Sequence, residues 1–467
     1  MGRDETTVVT GQRWPDLPTP PLGGWTPDLT VAVVLPARDC QPQLDRTLAS
    51  LAGQSYPAEL LEVIVVDDAS DPPLELPVQE GLRTRLVRRD EGSSHGSGAA
   101  RHAGAGATDA DIVLFLDADM VADRRHVEAH ARWHHVCDHA VVLGRKWFVD
   151  FAGITAQDVA DAVGTEDGIA GLLTGRTLRG HVWQEDHIAE QDGLTRDADD
   201  AFLAVVGASV SVRKTFYQDV GGFAGFGLRG IVDTEFGYRA YTRGGLLVPD
   251  DEALAYHQGA RSFAQRGAQI KLLRTGLAAN HLPIPMFRKQ NAGRQWVVPA
   301  VGVVVPVGGV APELVQTTID SVLGSAVTDL AVTVVDPDGT LPDWVHDYFM
   351  AETRVVFTDQ QPPSSYPSPF TVVVPGGLTV DPETLTRLVQ LLDRENVGVV
   401  RTDPAETADL GVEVWRTRAL CRSAAAGAGD LAARAAELFG ERWAPAAASG
   451  VRPARYSVTR QGMLATE

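Results

Sequence analysis

Val31-Ala-Val-Val-Leu-Pro36 decides the fold of this chain. Five apolar residues without polar alternation read as a strand covered on both faces, the pattern of a parallel sheet, and Pro36 ends the run. Leu44 to Leu51 follows with apolar residues at helical spacing. Glu62-Val-Ile-Val-Val66 is the next strand, halted by Asp67-Asp68, and Ile112-Val-Leu-Phe-Leu116 is a third, halted by Asp117-Ala118-Asp119. Strand, helix and strand in this order imply right-handed crossovers and a mainly parallel sheet. Ligands of such sheets sit at the carboxyl ends of the strands, where both acidic clusters lie.

The second half repeats the first. Val301-Gly-Val-Val-Val-Pro306 matches Val31 to Pro36, and a Leu/Thr/Ser helix follows each. Val332-Thr-Val-Val-Asp336 matches Val63 to Asp67, and Thr371 to Val374 stands where Ile112 to Leu116 stood. Three elements in register point to duplication. The acids do not survive it: Asp68 becomes Pro337, and Asp117 and Asp119 become Pro375 and Gly377.

The 467 residues suggest two or three domains at roughly 150 residues each. With 44% hydrophobic and 22% charged residues the chain is globular in composition. Its 41 Lys and Arg against 61 Asp and Glu leave a formal charge of −20, which repels phosphate backbones and anionic lipid heads and argues against nucleic-acid partners. Cys40, Cys137 and Cys421 are too scattered for a disulfide framework or a CxxC metal site. No stretch has the length of a signal peptide core or a bilayer span, so a cytoplasmic protein is expected.

Two carboxylates at i and i+2 leaving a buried strand repel each other unless a cation or a solvated turn receives them. Oxygen ligands at that spacing suit Mg²⁺ or Mn²⁺, and an added imidazole tilts the choice towards Mn²⁺. By itself Asp-x-Asp is also an ordinary solvated turn.

In order along the chain, Val33-Val-Leu-Pro-Ala-Arg38, Val65-Val-Asp-Asp-Ala-Ser70, Gly98-Ala-Ala-Arg101 and Leu116-Asp-Ala-Asp-Met120 resemble the nucleotide-sugar half of a family 2 glycosyltransferase of GT-A fold. Gly221-Gly-Phe223 and Asp233-Thr-Glu-Phe-Gly-Tyr-Arg239 resemble that family's acceptor-side motif, and Ala255-Tyr-His-Gln258 the distal histidine of its chondroitin-polymerase-like and polypeptide-GalNAc-transferase-like members. Val142-Leu-Gly-Arg-Lys146 leans towards the chondroitin-like branch. The resemblance runs from about Leu29 to Arg261.

That resemblance implies roles. Asp68 would accept from uracil N3, with Pro36 and Arg38 bordering the base and Arg101 near the base or phosphates. Asp117 would reach the ribose or donor sugar, Asp119 and His257 would bind a metal on the diphosphate, and Asp233 would be the general base. Where the family has Glu-Asp, this chain has Val232-Asp233, so Glu235 is the alternative acid if the register slips. The family's Arg-Asn is Arg101-His102 here. Gln290 to Trp296 lacks the Gln-x-x-Arg-Trp spacing that accompanies processive synthases, which implies non-processive transfer.

Other candidates carry less. Gly96-Ser-Gly98 does not leave a strand directly and lacks the third glycine of a dinucleotide site. His126, His130 and His134 share one helix face, but Glu128 is misplaced for a zincin base, so a solvated helix beside the sheet is expected. The acidic stretch Trp183 to Asp200 reads as a mobile loop over the substrates or as a solvated insertion. Asp67 is expected to cap its turn, and His95 and His102 to be loop residues near the diphosphate.

The expected architecture is therefore α/β: a Pro/Gly-rich leader over 1–27, a catalytic GT-A domain over 28–290, and a degenerate GT-A-like repeat over 296–460 that lacks the metal and base acids. Gln290 to Pro299 would be the junction. The expected activity is inverting, metal-dependent transfer of a hexosyl or N-acetylhexosaminyl group from a UDP-linked nucleotide sugar to a glycan, peptide or small-molecule hydroxyl. The repeat would serve as scaffold, homodimer interface or acceptor platform. Two alternatives stand beside this: a non-catalytic nucleotide-sugar-binding or scaffold protein, motivated by Val232 and the acid-free repeat, and a sugar nucleotidyltransferase. The latter class wants a Gly-rich basic loop where Pro36-Ala-Arg-Asp39 stands.

Overall fold

Val31 opens β1 (Val31–Ala37), whose first five residues are all buried, as their unbroken apolar run requires. The computed structural model describes residues 8–90, 96–226, 231–259, 267–288, 293–362, 364–404, 410–427 and 429–456. The expectations for His95, Arg261 and Gln290 lie outside them. The chain divides into two units: the first runs to Tyr241 and again over Gly245–Ala278, and the second holds Thr242–Gly244 and begins afresh at Ala279. That division precedes the junction expected at Gln290.

In the first unit β1 is followed by β2 (Leu61–Asp67), β3 (Arg83–Arg88), β4 (Ile112–Leu116), β5 (Met120–Ala122), β6 (Ala140–Val149), β7 (Arg179–Gly180), β8 (Ser209–Arg213) and β9 (Leu246–Gln258). They form one sheet in the order β3-β2-β1-β4-β8-β6-β9-β5, with β7 on β6. The half from β3 to β4 is parallel, as expected. β8 joins it antiparallel on both sides, and β6 then pairs with β9 in parallel. The helix Gln41–Ala52 lays Leu44, Leu48 and Leu51 on Val31, Val33 and Leu35. Truncating one such core leucine to alanine costs about 2–5 kcal/mol.

The second unit contains β10 (Val301–Pro306), β11 (Leu330–Val335), β12 (Val355–Thr358), β13 (Phe370–Val373), β14 (Leu378–Val380), β15 (Val399–Thr402), β16 (Glu413–Arg416), β17 (Glu441–Ala444) and β18 (Val451–Pro453). Its main sheet runs β12-β11-β10-β13-β16-β15-β17, with β14 and β18 paired apart. Strand for strand this is the order β3-β2-β1-β4-β8-β6-β9, with the same parallel and antiparallel senses. Local bonds agree as well. Ser50 Oγ donates to Thr47 O and accepts from Ala122 N, while Ser321 Oγ donates to Thr318 O and accepts from Val380 N.

Two expectations change, and the described part of the leader packs on the first unit. Val9 and Leu17 are buried with Trp133, Val142 and Leu246, and Trp14 meets the Trp133 ring edge-on at 5.5 Å. Gln12 Nε2 donates to Leu194 O and Leu247 O, and Trp14 Nε1 to Gly193 O. That second set of bonds ties down the acidic stretch, which forms the helix Val182–Glu190 and buries Leu194 completely. It is a packed element, not a bare insertion.

The second change concerns the histidine helix, His126–His134, which is buried rather than solvated because β8 faces it with Ser209 and Ser211. His126 Nδ1 lies 3.0 Å from Leu254 O and its Nε2 3.4 Å from Ser209 Oγ. His130 lies 2.9 Å from Ser209 Oγ through Nε2 and 2.9 Å from Ser211 Oγ through Nδ1, and His134 Nε2 is 2.7 Å from Ser211 Oγ. A carbonyl can only accept, so His126 carries its proton on Nδ1 and the donors alternate along the ladder. Among the described residues no helix is long and apolar enough to cross a membrane.

Candidate active site

The turn leaving β4 is held by its backbone. Asp117 N donates to Ala208 O, Met120 N to Asp117 O, and Thr47 Oγ to Ala118 O. Met120 then pairs with His257 across β5 and β9, which brings Asp119 Oδ2 to 3.3 Å from His257 Nε2. Gln258 fixes the far side: its N donates to Asp119 O, its Nε2 to Gln43 O, and its Oε1 accepts from Arg46. Phe148 packs on the His257 ring at 4.8 Å. The Asp119 side chain keeps 35% exposure, so it faces a cleft rather than the core. Desolvation by the surrounding protein still pushes its carboxyl up to about 6, against the pull of His257 and with help from Asp117.

Two ligands about 2.1 Å from an octahedral ion and cis to each other lie about 3 Å apart, close to the separation of Asp119 Oδ2 and His257 Nε2. His257 Nδ1 is buried without a hydrogen-bond partner among the described residues, which leaves Nε2 as the nitrogen facing Asp119. The pair therefore fits a hard divalent cation completed by phosphate oxygens. Among the described residues no set of three His, Cys, Asp or Glu side chains gathers for a metal. A cation held by this pair would take its remaining ligands from elsewhere.

Asp117 turns elsewhere. Arg101, on the helix Ser97–Gly106, is 2% exposed and donates from one terminal nitrogen to Asp117 Oδ1 at 2.6 Å and from the other to Asp233 Oδ1 at 2.8 Å. Burial alone would lower its pKa, but Asp233 and Asp117 outweigh that and raise it. Its guanidinium also lies 5.4 Å from the centre of the Phe223 ring. Both of its terminal nitrogens are thus paired with carboxylates.

Close backbone approach makes this triad. A Cβ on Gly207 would stand 2.5 Å from Asp233 Oδ1 and 2.6 Å from Arg101 Cζ, and one on Gly98 would meet Ala224 O and Val232. Val232, in place of the family's acid, is the buried apolar partner that contact needs. Glu235, the alternative acid, is buried and chelated by Arg239, whose other bonds go to Val220 O and Gly222 O. Both oxygens are engaged in clamping the Gly221-Gly222 turn, so Asp233 is the exposed acid of the pair, at 31%.

Asp67 caps its turn by accepting from Ser70 N and Leu74 N. Asp68 is buried, pairs with Arg89 and accepts from Gly96 N at 2.8 Å, joining the ends of β2 and β3 to the start of the Arg101 helix. Pro36 is half-buried beside Val66, and Arg38 is exposed with its Nε 3.5 Å from Asp39. His102 meets the Tyr217 hydroxyl at 3.2 Å. Arg89, Gly207, Thr47 and Phe148 were missed in the sequence. Only Thr47 left a signal there, through the matching Thr318 of the repeat.

Residues 32–155 match the model of Glycosyl transferase family 2. The chain is similar to the chondroitin synthase of Pasteurella multocida, 26% identical over 333 residues that make up 67% of this chain and 34% of that protein. It is similar to the pre-mycofactocin glycosyltransferase of Mycobacterium tuberculosis, 36% identical over 27% of this chain and 24% of that protein. It therefore spans only about a third and a quarter of these relatives. A mannosyltransferase of Pyrobaculum calidifontis, solved with GDP-Man and Mn²⁺, aligns over 58% of this chain and 67% of its own at 17% identity, with a TM-score of 0.37. Over residues 32–155 the chain thus resembles glycosyl transferase family 2.

Proposed function

We propose that the first unit transfers a sugar from a nucleotide sugar to an acceptor hydroxyl, inverting the anomeric carbon in one displacement, with a divalent cation on the diphosphate. The observation that carries this reading is the pairing of Asp119 with His257 beside two carboxylates that share Arg101. Asp119 and His257 would hold Mn²⁺ or Mg²⁺, which neutralises charge growing on the leaving diphosphate. Asp233 keeps Oδ1 on Arg101 and offers Oδ2 to the acceptor proton. When that proton arrives, Arg101 still has Asp117 as its counter-charge. No enzyme nucleophile is required.

A uridine donor is supported by Asp68 at the end of β2, whose lone pairs beside Arg89 suit the N3–H of uracil. We further propose that the second unit is a degenerate duplicate, a reading supported by its strand order and by the register of its pairs. Met120 opposes His257 as Leu378 opposes Pro453, so His257 has become Pro453 just as Asp119 has become Gly377. The missing Gln-x-x-Arg-Trp spacing supports a non-processive transfer.

The test is metal-dependent release of the nucleoside diphosphate from panels of UDP- and GDP-sugars. Wild type should turn over a UDP-sugar with Mn²⁺ or Mg²⁺, and Asp233→Asn should lose about 10²–10⁴-fold in kcat while still binding UDP. Full turnover by Asp233→Asn would remove the base assignment, and binding of UDP without any turnover would favour a non-catalytic binder.

A further inference from the structure

Arg101 has a third contact besides its two carboxylates. Its guanidinium lies 5.4 Å from the centre of the Phe223 ring, and its Nε is buried without a hydrogen-bond partner among the described residues. Phe223 also stacks on Phe236 at 4.3 Å and meets Phe115 edge-on at 4.9 Å. Phe236 and Asp233 lie on one helix, Val232–Thr242. A single ring therefore touches both the cation and the helix that carries the acid paired with it.

A short polar chain holds that ring in place. Phe223 follows Gly221 and Gly222, whose φ angles of +87° and +66° turn the backbone out of the helix Lys214–Val220. Tyr217 is buried on that helix; its hydroxyl accepts from Phe223 N at 3.0 Å and lies 3.2 Å from His102 Nδ1. Burial keeps the phenol protonated, pushing it up to about 12. An amide can only donate, so Phe223 N takes a lone pair of the hydroxyl. The phenolic proton then has His102 Nδ1 as its acceptor among the described residues, which makes Nδ1 the bare nitrogen of that imidazole. The turn closes directly over the pair: a Cβ on Gly222 would stand 2.6 Å from His102 Nδ1 and 2.9 Å from the Tyr217 hydroxyl. His102 is itself exposed on the helix that carries Arg101, so its imidazole ties that helix to the turn.

We propose that His102 is a positioning residue for the transfer, acting through Tyr217 and Phe223 to set Arg101 against Asp233. This rests on the glycosyltransferase reading, in which Asp233 presents Oδ2 to the acceptor while Arg101 holds Oδ1. If the tie is cut, Phe223 N loses its acceptor and the ring its anchor, and Arg101 no longer fixes the orientation of the acid. Small misplacements of this kind lower the rate of the chemical step more than they weaken binding. Asparagine can serve in place of His102, because its carbonyl also takes a phenolic proton, whereas alanine offers no acceptor.

The test compares the full-length wild type with His102→Ala, His102→Asn and Tyr217→Phe, following both UDP release from a UDP-sugar and hydrogen exchange of the Phe223 amide. His102→Ala and Tyr217→Phe should lower kcat about tenfold with KM for the donor within about twofold of wild type. Exchange at Phe223 should quicken about tenfold in the same two variants, because its amide has lost a well-placed acceptor. His102→Asn should restore most of both. Since His102 is exposed, its two variants fold whatever Tyr217→Phe does. A kcat unchanged in His102→Ala, a loss that His102→Asn does not restore, or a loss confined to KM overturns the proposal. Exchange separates the two readings. Faster exchange at Phe223 in variants of a chain whose wild type turns over no nucleotide sugar would remove the transferase and keep the tie. Unchanged exchange in an active enzyme would remove the tie alone.

Discussion

Acidification should destabilise the first unit through the histidine ladder well before its ordinary carboxylates titrate. His126 is buried, and desolvation lowers its pKa from 6.5 to about 4 against the favourable carbonyls of Leu254 and Ala253 and the charge of Asp250. The unfolded chain therefore binds the proton more readily than the folded one, so the stability present above pH 6.5 is lost as pH falls towards 4. Integrated from pH 7 to 5, that single group costs about 2 kcal/mol, rising to about 3 kcal/mol below pH 4. His130 and His134 are lowered by burial and by their charged neighbours, and they act in the same direction. Asp119 opposes them, because its raised carboxyl gains a proton in the folded state, but its partial exposure weakens that effect. The assay is urea unfolding at pH 7, 6 and 5 for wild type and His126→Asn, whose amide keeps the donor to Leu254 O without titrating. Asp119 contributes equally to both chains, so the difference in their pH slopes isolates His126. Equal slopes, or a stability in wild type that stays level down to pH 5, would refute the reasoning.

Arg101→Met should lower kcat at least 100-fold with little change in UDP affinity, and Arg101→Lys should recover part of it; steady-state kinetics with calorimetric UDP binding separates the two effects. Gly207→Ala should act like a mild Arg101 variant, since its methyl displaces the Arg101–Asp233 pair, and should lower kcat more than tenfold while UDP still binds. Asp119→Asn and His257→Ala should each abolish the rise in melting temperature that Mn²⁺ with UDP produces in wild type, and a rise retained in both would move the metal elsewhere. Ser50→Ala and Ser321→Ala should each cost about 1 kcal/mol, each in the unfolding of its own unit, because the two hydroxyls make the same pair of bonds.

The parallel half of the sheet was legible because Val31 to Leu35 and Ile112 to Leu116 are buried on both faces and so carry no polar interruption. Val301 to Val305 of the second unit was legible for the same reason. Asp67 as a turn cap was legible from its place at the strand's end. What failed depends on partners distant in sequence. The histidine face looked solvated because nothing near His126 announces Ser209 and Ser211. The packing of the leader was not legible, because the partners of Trp14 and Gln12 lie near positions 133, 193 and 247. Arg101 gave no sign of its two carboxylate partners. Its actual neighbours are set by Gly98 and Gly207, whose missing side chains let helix and loop close on it.

The second unit separates the acids that build this fold from those that do not. Asp336 occupies the place of Asp67 and repeats its work, accepting from Thr340 N and Leu341 N, so an acid there is a structural demand of the turn. Thr318 and Ser321 likewise keep the places of Thr47 and Ser50, bonding the segment that follows the central strand. Yet Pro337, Pro375, Gly377 and Pro453 stand where Asp68, Asp117, Asp119 and His257 stand in the first unit, and the same strand order forms around them. None of those four side chains is therefore needed to fold the sheet edge. In the first unit burial, and to a smaller degree Asp117, raise the carboxyl of Asp119 against the pull of His257. A cation brought to Asp119 and His257 would reconcile these acids with an anionic substrate, so the proposed transfer stands or falls with metal dependence.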